Sequence, residues 1–276
     1  MVLFLAVAAL VLWMEEGEPL KGGDRVAVVR LEGMVVESEP VVQALERMGK
    51  DPKVKAIVLR VDSPGGGVAP TQEIFRAVRR WNETKKVVAS LGSVAASGGY
   101  YAACGAERIV ANPGTITGSI GVVIHFANLE QLLGKLGIQG ESIKSGSYKD
   151  MGSPFRSLSE EEKDLLQGLV RDVHEQFVEA VAEARRLPKE QVSELADGRV
   201  FSGRQAKGLG LVDELGGFQE AVKTAAQLAG ISGEPKVVEE RKEKISLLEI
   251  LLGKTMGRLI PSVDPRLPFV SYLFHP

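Results

Sequence analysis

Cysteine is nearly absent from this chain of 276 residues, Cys104 being the single one. One thiol rules out an internal disulfide and every metal centre built from several cysteines. It ends the apolar run Tyr100-Tyr101-Ala102-Ala103-Cys104, where a buried, inert thiol is expected, because free cysteine is among the most buried residue types. Histidine is almost as scarce. His125, His174 and His275 lie far apart and match no ligand spacing such as H-E-x-x-H, so no metal site is expected. A basic cluster is missing too. Lys and Arg number 34 against 36 Asp and Glu, for a net charge of −2, and no aromatic residues interleave with basic ones. This excludes the nucleic-acid-binding class, whose phosphate partners require a clustered Lys/Arg face.

Long apolar runs without a charge are also rare, and the exception is at the start. Residues 1–14 (MVLFLAVAALVLWM) carry no charge before Glu15-Glu16-Gly17-Glu18-Pro19 breaks the run. As a helix they would reach about 21 Å, against a hydrocarbon core of about 30 Å. No basic flank or clear small-residue cleavage site marks a secretory signal. A soluble core helix would show polar positions at helical spacing, and this stretch shows none. The expectation is a membrane anchor, short or lacking upstream residues, with residues 1–23 forming anchor and linker. An atypical signal sequence and a buried helix are the competing readings.

What is present is a globular composition, 44% hydrophobic and 25% charged, sufficient for one large core. Residues 25–31 (RVAVVRL), 54–61 (VKAIVLRV), 86–91, 108–111, 119–124, 141–144 and 235–239 read as strands. Residues 40–48, 71–81, 97–104, 129–136 and 159–186 read as helices, the last capped by Ser159 ahead of Glu160, Glu161 and Glu162. Strands alternating with helices imply parallel βαβ packing, hence an α/β fold. A domain is expected over residues 24–240, followed by an apolar tail over residues 241–276. The tail's Pro-rich end (PSVDPRLPFVSYLFHP) needs a surface to cover: its own domain, a neighbouring subunit or the lipid interface.

Two glycine-rich turns are candidates for chemistry. Asp62-Ser63-Pro64-Gly65-Gly66-Gly67 directly follows a strand, and its glycines bare backbone N–H groups able to bind an anion or oxyanion. It lacks the Gly-Lys-Ser/Thr of a Walker loop and the spacing of a dinucleotide fingerprint. The second turn, Ser93-Val94-Ala95-Ala96-Ser97-Gly98-Gly99-Tyr100-Tyr101, runs from a strand into a helix. Ser97 there is either an ordinary N-cap or a nucleophile on a strand-to-helix turn. In the second case the Gly98 N–H and the helix N-terminus face a developing oxyanion.

A serine hydroxyl needs a base. His125 is the one histidine near in sequence and no Asp partner is evident, so a Ser-His-Asp triad finds no support. A lysine serves if burial lowers its pKa. The small and apolar loop KSGSYKDMGSPF at residues 144–155 leaves room for partial burial of Lys149, although taken singly this residue reads as a surface lysine. Ser119, between glycines in Thr117-Gly118-Ser119-Ile120-Gly121-Val122, is either a turn serine or a hydroxyl holding that amine in line.

In order and spacing, Pro64-Gly65-Gly66, Ala96-Ser97-Gly98-Gly99-Tyr100-Tyr101, Thr117-Gly118-Ser119-Ile120-Gly121-Val122 and Tyr148-Lys149-Asp150 resemble the signal peptide peptidase A family in its short, single-repeat form. The resemblance covers residues 25–230 and implies a ClpP/crotonase-like fold of stacked ββα units. It implies Ser97 as nucleophile, Lys149 as general base and Ser119 as the residue that orients the lysine. The oxyanion hole would combine Gly98 N–H with an N–H of Gly65 or Gly66, the two not being separable by sequence. No cofactor is implied. The expected substrates are remnant signal peptides and other apolar, extended peptides, cut at the cell membrane by a single-pass protein whose catalytic domain lies outside the cytoplasm. Ring-shaped homo-oligomers are expected, in which Ser97 and Lys149 of one site come from the same subunit or from neighbouring ones. The alternatives are a membrane serine protease of the stomatin-associated type and a crotonase-like acyl-CoA enzyme.

Overall fold

The computed structural model describes residues 23–239 and 271–274. In chain order its elements are β1 (Arg25–Glu32), α1 (Glu39–Lys50), β2 (Val54–Ser63), β3 (Gly65–Gly67), α2 (Val68–Thr84), β4 (Lys86–Ala96), α3 (Gly98–Ala103), β5 (Arg108–Ala111) and β6 (Ile116–Gly118). They continue as α4 (Glu130–Lys135), α5 (Glu160–Arg185), α6 (Lys189–Leu195), β7 (Val200–Ser202), α7 (Gly203–Gly208), β8 (Glu214–Leu215), α8 (Phe218–Leu228), β9 (Lys236–Glu239) and β10 (Ser271–Leu273).

The main sheet runs β7-β6-β4-β2-β1-β9, with β5 beside β4 and β8 beside β5. Its pairs are parallel except for β6 with β7. The near-continuous Val, Ile, Leu and Ala content of β1, β2, β4 and β5 reflects burial on both faces, the usual state of parallel strands. Successive residues serve opposite faces. Ala27, Val29 and Leu31 join the larger core under α1, α2, α3 and α5, whereas Val26 and Val28 join a smaller one under α8, with Ala221, Val222 and Ala225.

The strand β4 forks. Val88–Leu91 pairs with β5 and Val94–Ala96 with β6. Between them Asp62 packs on Gly92, and its Oδ1 accepts the Val94 N–H at 3.1 Å. The fork carries the second half of β4 away from β5 and towards the glycine turn.

Two expected strands do not form. Residues 119–124 run irregularly, and the strand lies earlier, at Ile116–Gly118. Ser119 takes a positive φ of 50° and donates its N–H to Arg199 O at 2.9 Å, which leaves the sheet direction. Residues 141–144 form an exposed loop. Conversely Gly65–Gly67, expected as a turn, is a short strand paired with β10. Among the described residues no helix is long and apolar enough to cross a membrane. The run at 1–14, where an anchor is expected, lies outside the described residues, as does most of the tail.

Cys104 is 3% exposed, and burial pushes its thiol up to about 12. A thiolate is the reactive species, so the folded chain is expected to resist iodoacetamide at about pH 8 and to label fully once denatured. Rapid labelling of the native protein would contradict this burial.

Candidate active site

The site begins where β4 and β6 end side by side, Ala96 opposite Gly118. Each strand continues into a serine of positive φ, 52° at Ser97 and 50° at Ser119. At Ser97 the accompanying ψ is −119°, a conformation costing on the order of 1–3 kcal/mol that persists only when its surroundings impose it. Here Ser97 N–H donates to Gly118 O at 2.8 Å, and Ser97 O accepts from Tyr101 N–H at 2.8 Å to open α3. The result is a sharp strand-to-helix elbow. Ser97 is 1% exposed, and its Oγ has no hydrogen-bond partner among the described residues.

Gly98, next along, has the glycine turn pressed against it. A Cβ there would stand 2.8 Å from Thr71 Oγ1 and 3.2 Å from both Gly65 Cα and Gly66 N. Gly65 and Gly66 have φ of 101° and 157°, the first of which only glycine adopts readily. Their N–H groups differ in use. Gly65 N–H donates to Ser63 Oγ at 3.1 Å, while the Ser63 hydroxyl donates to Gly33 O at 2.6 Å. Val35 N–H donates to Gly65 O, and Gly67 N–H to Val35 O, each at 2.8 Å. Because alternate residues of a strand address opposite edges, Gly66 turns its N–H away from Val35, towards β10. This separates the two glycines that are equivalent by sequence.

The edge so addressed is occupied by the chain's own tail. Ser271, Tyr272 and Leu273 pair antiparallel with Gly67, Gly66 and Gly65. On its other edge Ser271 exchanges both backbone hydrogen bonds with Val123 at 3.1 Å, and Phe274 N–H donates to Pro64 O at 2.8 Å. The Tyr272 ring is fully buried, stacked on Tyr101 at 5.3 Å and 4.7 Å from Phe177. A Cβ on Gly65 would collide with the Tyr272 carbonyl oxygen and lie 2.6 Å from Gly98 N. The Tyr272 carbonyl, the Gly98 N–H and the Gly66 edge therefore converge. Beyond, Leu273 borders an open groove of about 350 Å³, also lined by Ser119, Val122, His174 and Asp197.

Lys149 stands apart from this cluster, in a surface position and not a partly buried one. It is exposed, and its backbone N–H donates to Gly146 O at 3.2 Å. Its loop belongs to an arm over residues 124–158 that packs mostly on itself, Leu129 N–H donating to Pro154 O. The helix α4 on this arm buries no residue. Leu132, Leu136, Ile138, Tyr148 and Phe155 remain 47–65% exposed. Within one chain the elbow serine, Gly98, Gly66 and Ser119 come together, and Lys149 does not contact Ser97 Oγ.

Three residues were not singled out by sequence. Thr71, fully buried with an unpartnered hydroxyl beside Gly98, resembles any residue in the first turn of a helix. Tyr272 carried a signal only in the apolar character of the tail. Arg156 ties the Lys149 loop to α5 through Asp150 and Glu162.

Residues 79–232 match the family model described as Peptidase family S49. A Synechocystis protein carrying a provisional protease name is 44% identical over 239 residues, covering 85% of this chain and 86% of that one. The chloroplastic serine protease SPPA of Arabidopsis thaliana is 35% identical over 259 residues, 88% of this chain but 38% of its own length. An Enterococcus faecium protein provisionally named signal peptide peptidase SppA is 36% identical over 214 residues, 77% of this chain and 62% of that one. The mostly parallel sheet, the elbow and these similarities agree: the chain belongs to peptidase family S49, is a serine peptidase of the signal peptide peptidase A type, and has the ClpP/crotonase-like α/β fold.

Proposed function

We propose that the chain is an endopeptidase in which Ser97 attacks, Lys149 serves as general base and Ser119 orients the lysine, acting on extended, apolar peptides. The observation that carries this reading is the tail segment, held on both edges beside the elbow, with the Tyr272 carbonyl oxygen and Gly98 N both lying against Gly65. A substrate strand bound the same way would present a carbonyl to Ser97 Oγ, with the preceding side chain in the aromatic pocket of Phe75, Tyr101 and Phe177. A cleft built for acyl-CoA has no need of such strand pairing.

In this mechanism neutral Lys149 takes the Ser97 proton as Oγ bonds to the peptide carbonyl carbon. The oxyanion is held by Gly98 N–H and Gly66 N–H, each such donor contributing on the order of 10²–10³ in rate. Lys149 then passes the proton to the leaving amine, and water, deprotonated by the same amine, hydrolyses the acyl ester. The exposure of Lys149 on an apolar arm, with Ser97 Oγ unpartnered, supports a site completed by a neighbouring copy in a ring. Remnant signal peptides are the proposed natural substrates, in keeping with the name of the Enterococcus relative. Action at the cell membrane, outside the cytoplasm, through the run at 1–14 belongs to the same proposal.

The test is cleavage of an extended apolar peptide, with the products mapped by mass spectrometry. Cuts are expected after aromatic or large apolar residues. Tyr272→Asp, which places a charge among Tyr101 and Phe177, should expel the tail and raise the rate severalfold. Cleavage confined to polar positions, or a Tyr272→Asp rate no higher than wild type, would sink this assignment of the groove.

A further inference from the structure

We propose that Lys144 and Arg156 together neutralise Asp150, so that the adjoining Lys149 is free to stand as an uncharged amine; this rests on Lys149 being the general base. The sequence poses an electrostatic problem. A carboxylate directly follows the lysine, and an opposite charge within about 4–6 Å stabilises an ammonium, the reverse of what a base needs.

The structure occupies that carboxylate on both oxygens. Asp150 Oδ1 accepts from Lys144 Nζ at 2.6 Å and from Arg156 Nη2 at 2.7 Å, and Oδ2 accepts from Arg156 Nε at 3.0 Å. Arg156 spends its other edge on Glu162, with Nη1 to Oε2 at 2.8 Å and Nη2 to Oε1 at 2.5 Å. Glu162 is a fixed point. Its side chain is 4% exposed, and it exchanges cap bonds with Ser159 at the start of α5, a helix of 26 residues. Two cations thus balance two carboxylates, and the cluster pins the lysine's loop to the domain.

Hydrogen bonds from Arg156 hold Asp150 well below the usual carboxylate range and Glu162 down to about 2. Both carboxylates stay ionised throughout an assay, so the two cations are needed at every working pH. The arm that carries Lys149 holds His125, Glu130, Lys135, Glu141, Lys144, Tyr148, Asp150 and Arg156 as its charged or titratable groups. Glu130 at the start of α4 accepts from Ser157, and Glu160, Glu161 and Glu162 open α5, Glu160 being paired with Lys163. Loss of Arg156 leaves Glu162 without this partner and Asp150 with Lys144 as its remaining cation, in the loop that also carries Lys149.

The experiment compares pH profiles of kcat and KM for the full chain, Arg156→Met, Arg156→Lys and the double variant Arg156→Met/Asp150→Asn. A released carboxylate favours the ammonium form, so the acid limb of the kcat profile in Arg156→Met should move to higher pH, costing about tenfold near neutrality and little at high pH. Arg156→Lys, which keeps a cation, should move it less. The double variant should return the limb towards wild type, a rescue that a merely structural role for Arg156 does not produce. A uniform loss at all pH values with the limb unmoved, an equal shift in Lys and Met variants, or a double variant that keeps the shift would each overturn the proposal. Lys149→Ala separates it from the reading beneath: an active Lys149→Ala removes the base assignment itself, whereas an inactive one with an unmoved Arg156→Met limb removes only this inference.

Discussion

Ser97→Ala is expected to abolish peptide hydrolysis, with a loss of about 10⁴-fold or more, as when the nucleophile of a serine peptidase is removed. The same substitution should leave the fold no less stable. The Ser97 hydroxyl is buried without a partner, and an unsatisfied buried polar group costs about 1–3 kcal/mol. Alanine keeps the Cβ and tolerates the φ of 52° no worse than serine does. The combined signature, dead in turnover but level or higher in thermal midpoint, distinguishes a nucleophile from an N-cap. Loss of a cap lowers stability, typically by about 1 kcal/mol. No side-chain cap bond is formed by Ser97, which already favours the first outcome. Turnover near the wild-type level would refute the assignment.

Lys149→Ala carries the second large effect. Removal of a general base costs about 10²–10⁴ in kcat. Because the side chain is exposed, stability should change by no more than about 0.5 kcal/mol. Lys149→Arg should not rescue activity, since a guanidinium stays charged and cannot accept the Ser97 proton. The separation of Lys149 from Ser97 adds a sharper form of the test. Inactive Ser97→Ala and Lys149→Ala chains, mixed and allowed to exchange subunits, should regain activity, because the lysine of one would complete the serine of the other. A mixture that stays inactive while its subunits demonstrably exchange would place both groups in one chain.

What was readable in the sequence, and what was not, follows from the range of the interactions involved. The strands near residues 25–31, 54–61, 86–91 and 108–111 are continuous β-branched and aliphatic runs, so burial on both faces of a parallel sheet was visible locally. The elbow was legible because Ala96-Ser97-Gly98-Gly99 combines small residues where a strand yields to a helix. Which of Gly65 and Gly66 turns its N–H towards β10 was not, for it depends on which strand edge Val35 and Ser63 occupy. The pairing of β3 with β10 joins short segments that lie remote in sequence, and three residues carry too little pattern to announce it. Residues 119–124 are rich in Ile and Val like a strand, yet the Ser119 kink overrides that propensity. The loop around Lys149 shows the limit most plainly. Small and apolar residues look alike whether they are buried in their own domain or await another chain. Asp150 and Arg156 lie in irregular loop and Glu162 in the first turn of α5, so no single element's period joins them and their ion-pair cluster left no trace in the sequence.

Reaction with a fluorophosphonate, followed by mass-spectrometric location of the adduct, tests the central claim most directly. The account predicts a single covalent adduct on the tryptic peptide containing Ser97 in the wild type, formed far more slowly in Lys149→Ala and absent from Ser97→Ala. An adduct on another serine, or labelling of Ser97 at the same rate with and without Lys149, would contradict it.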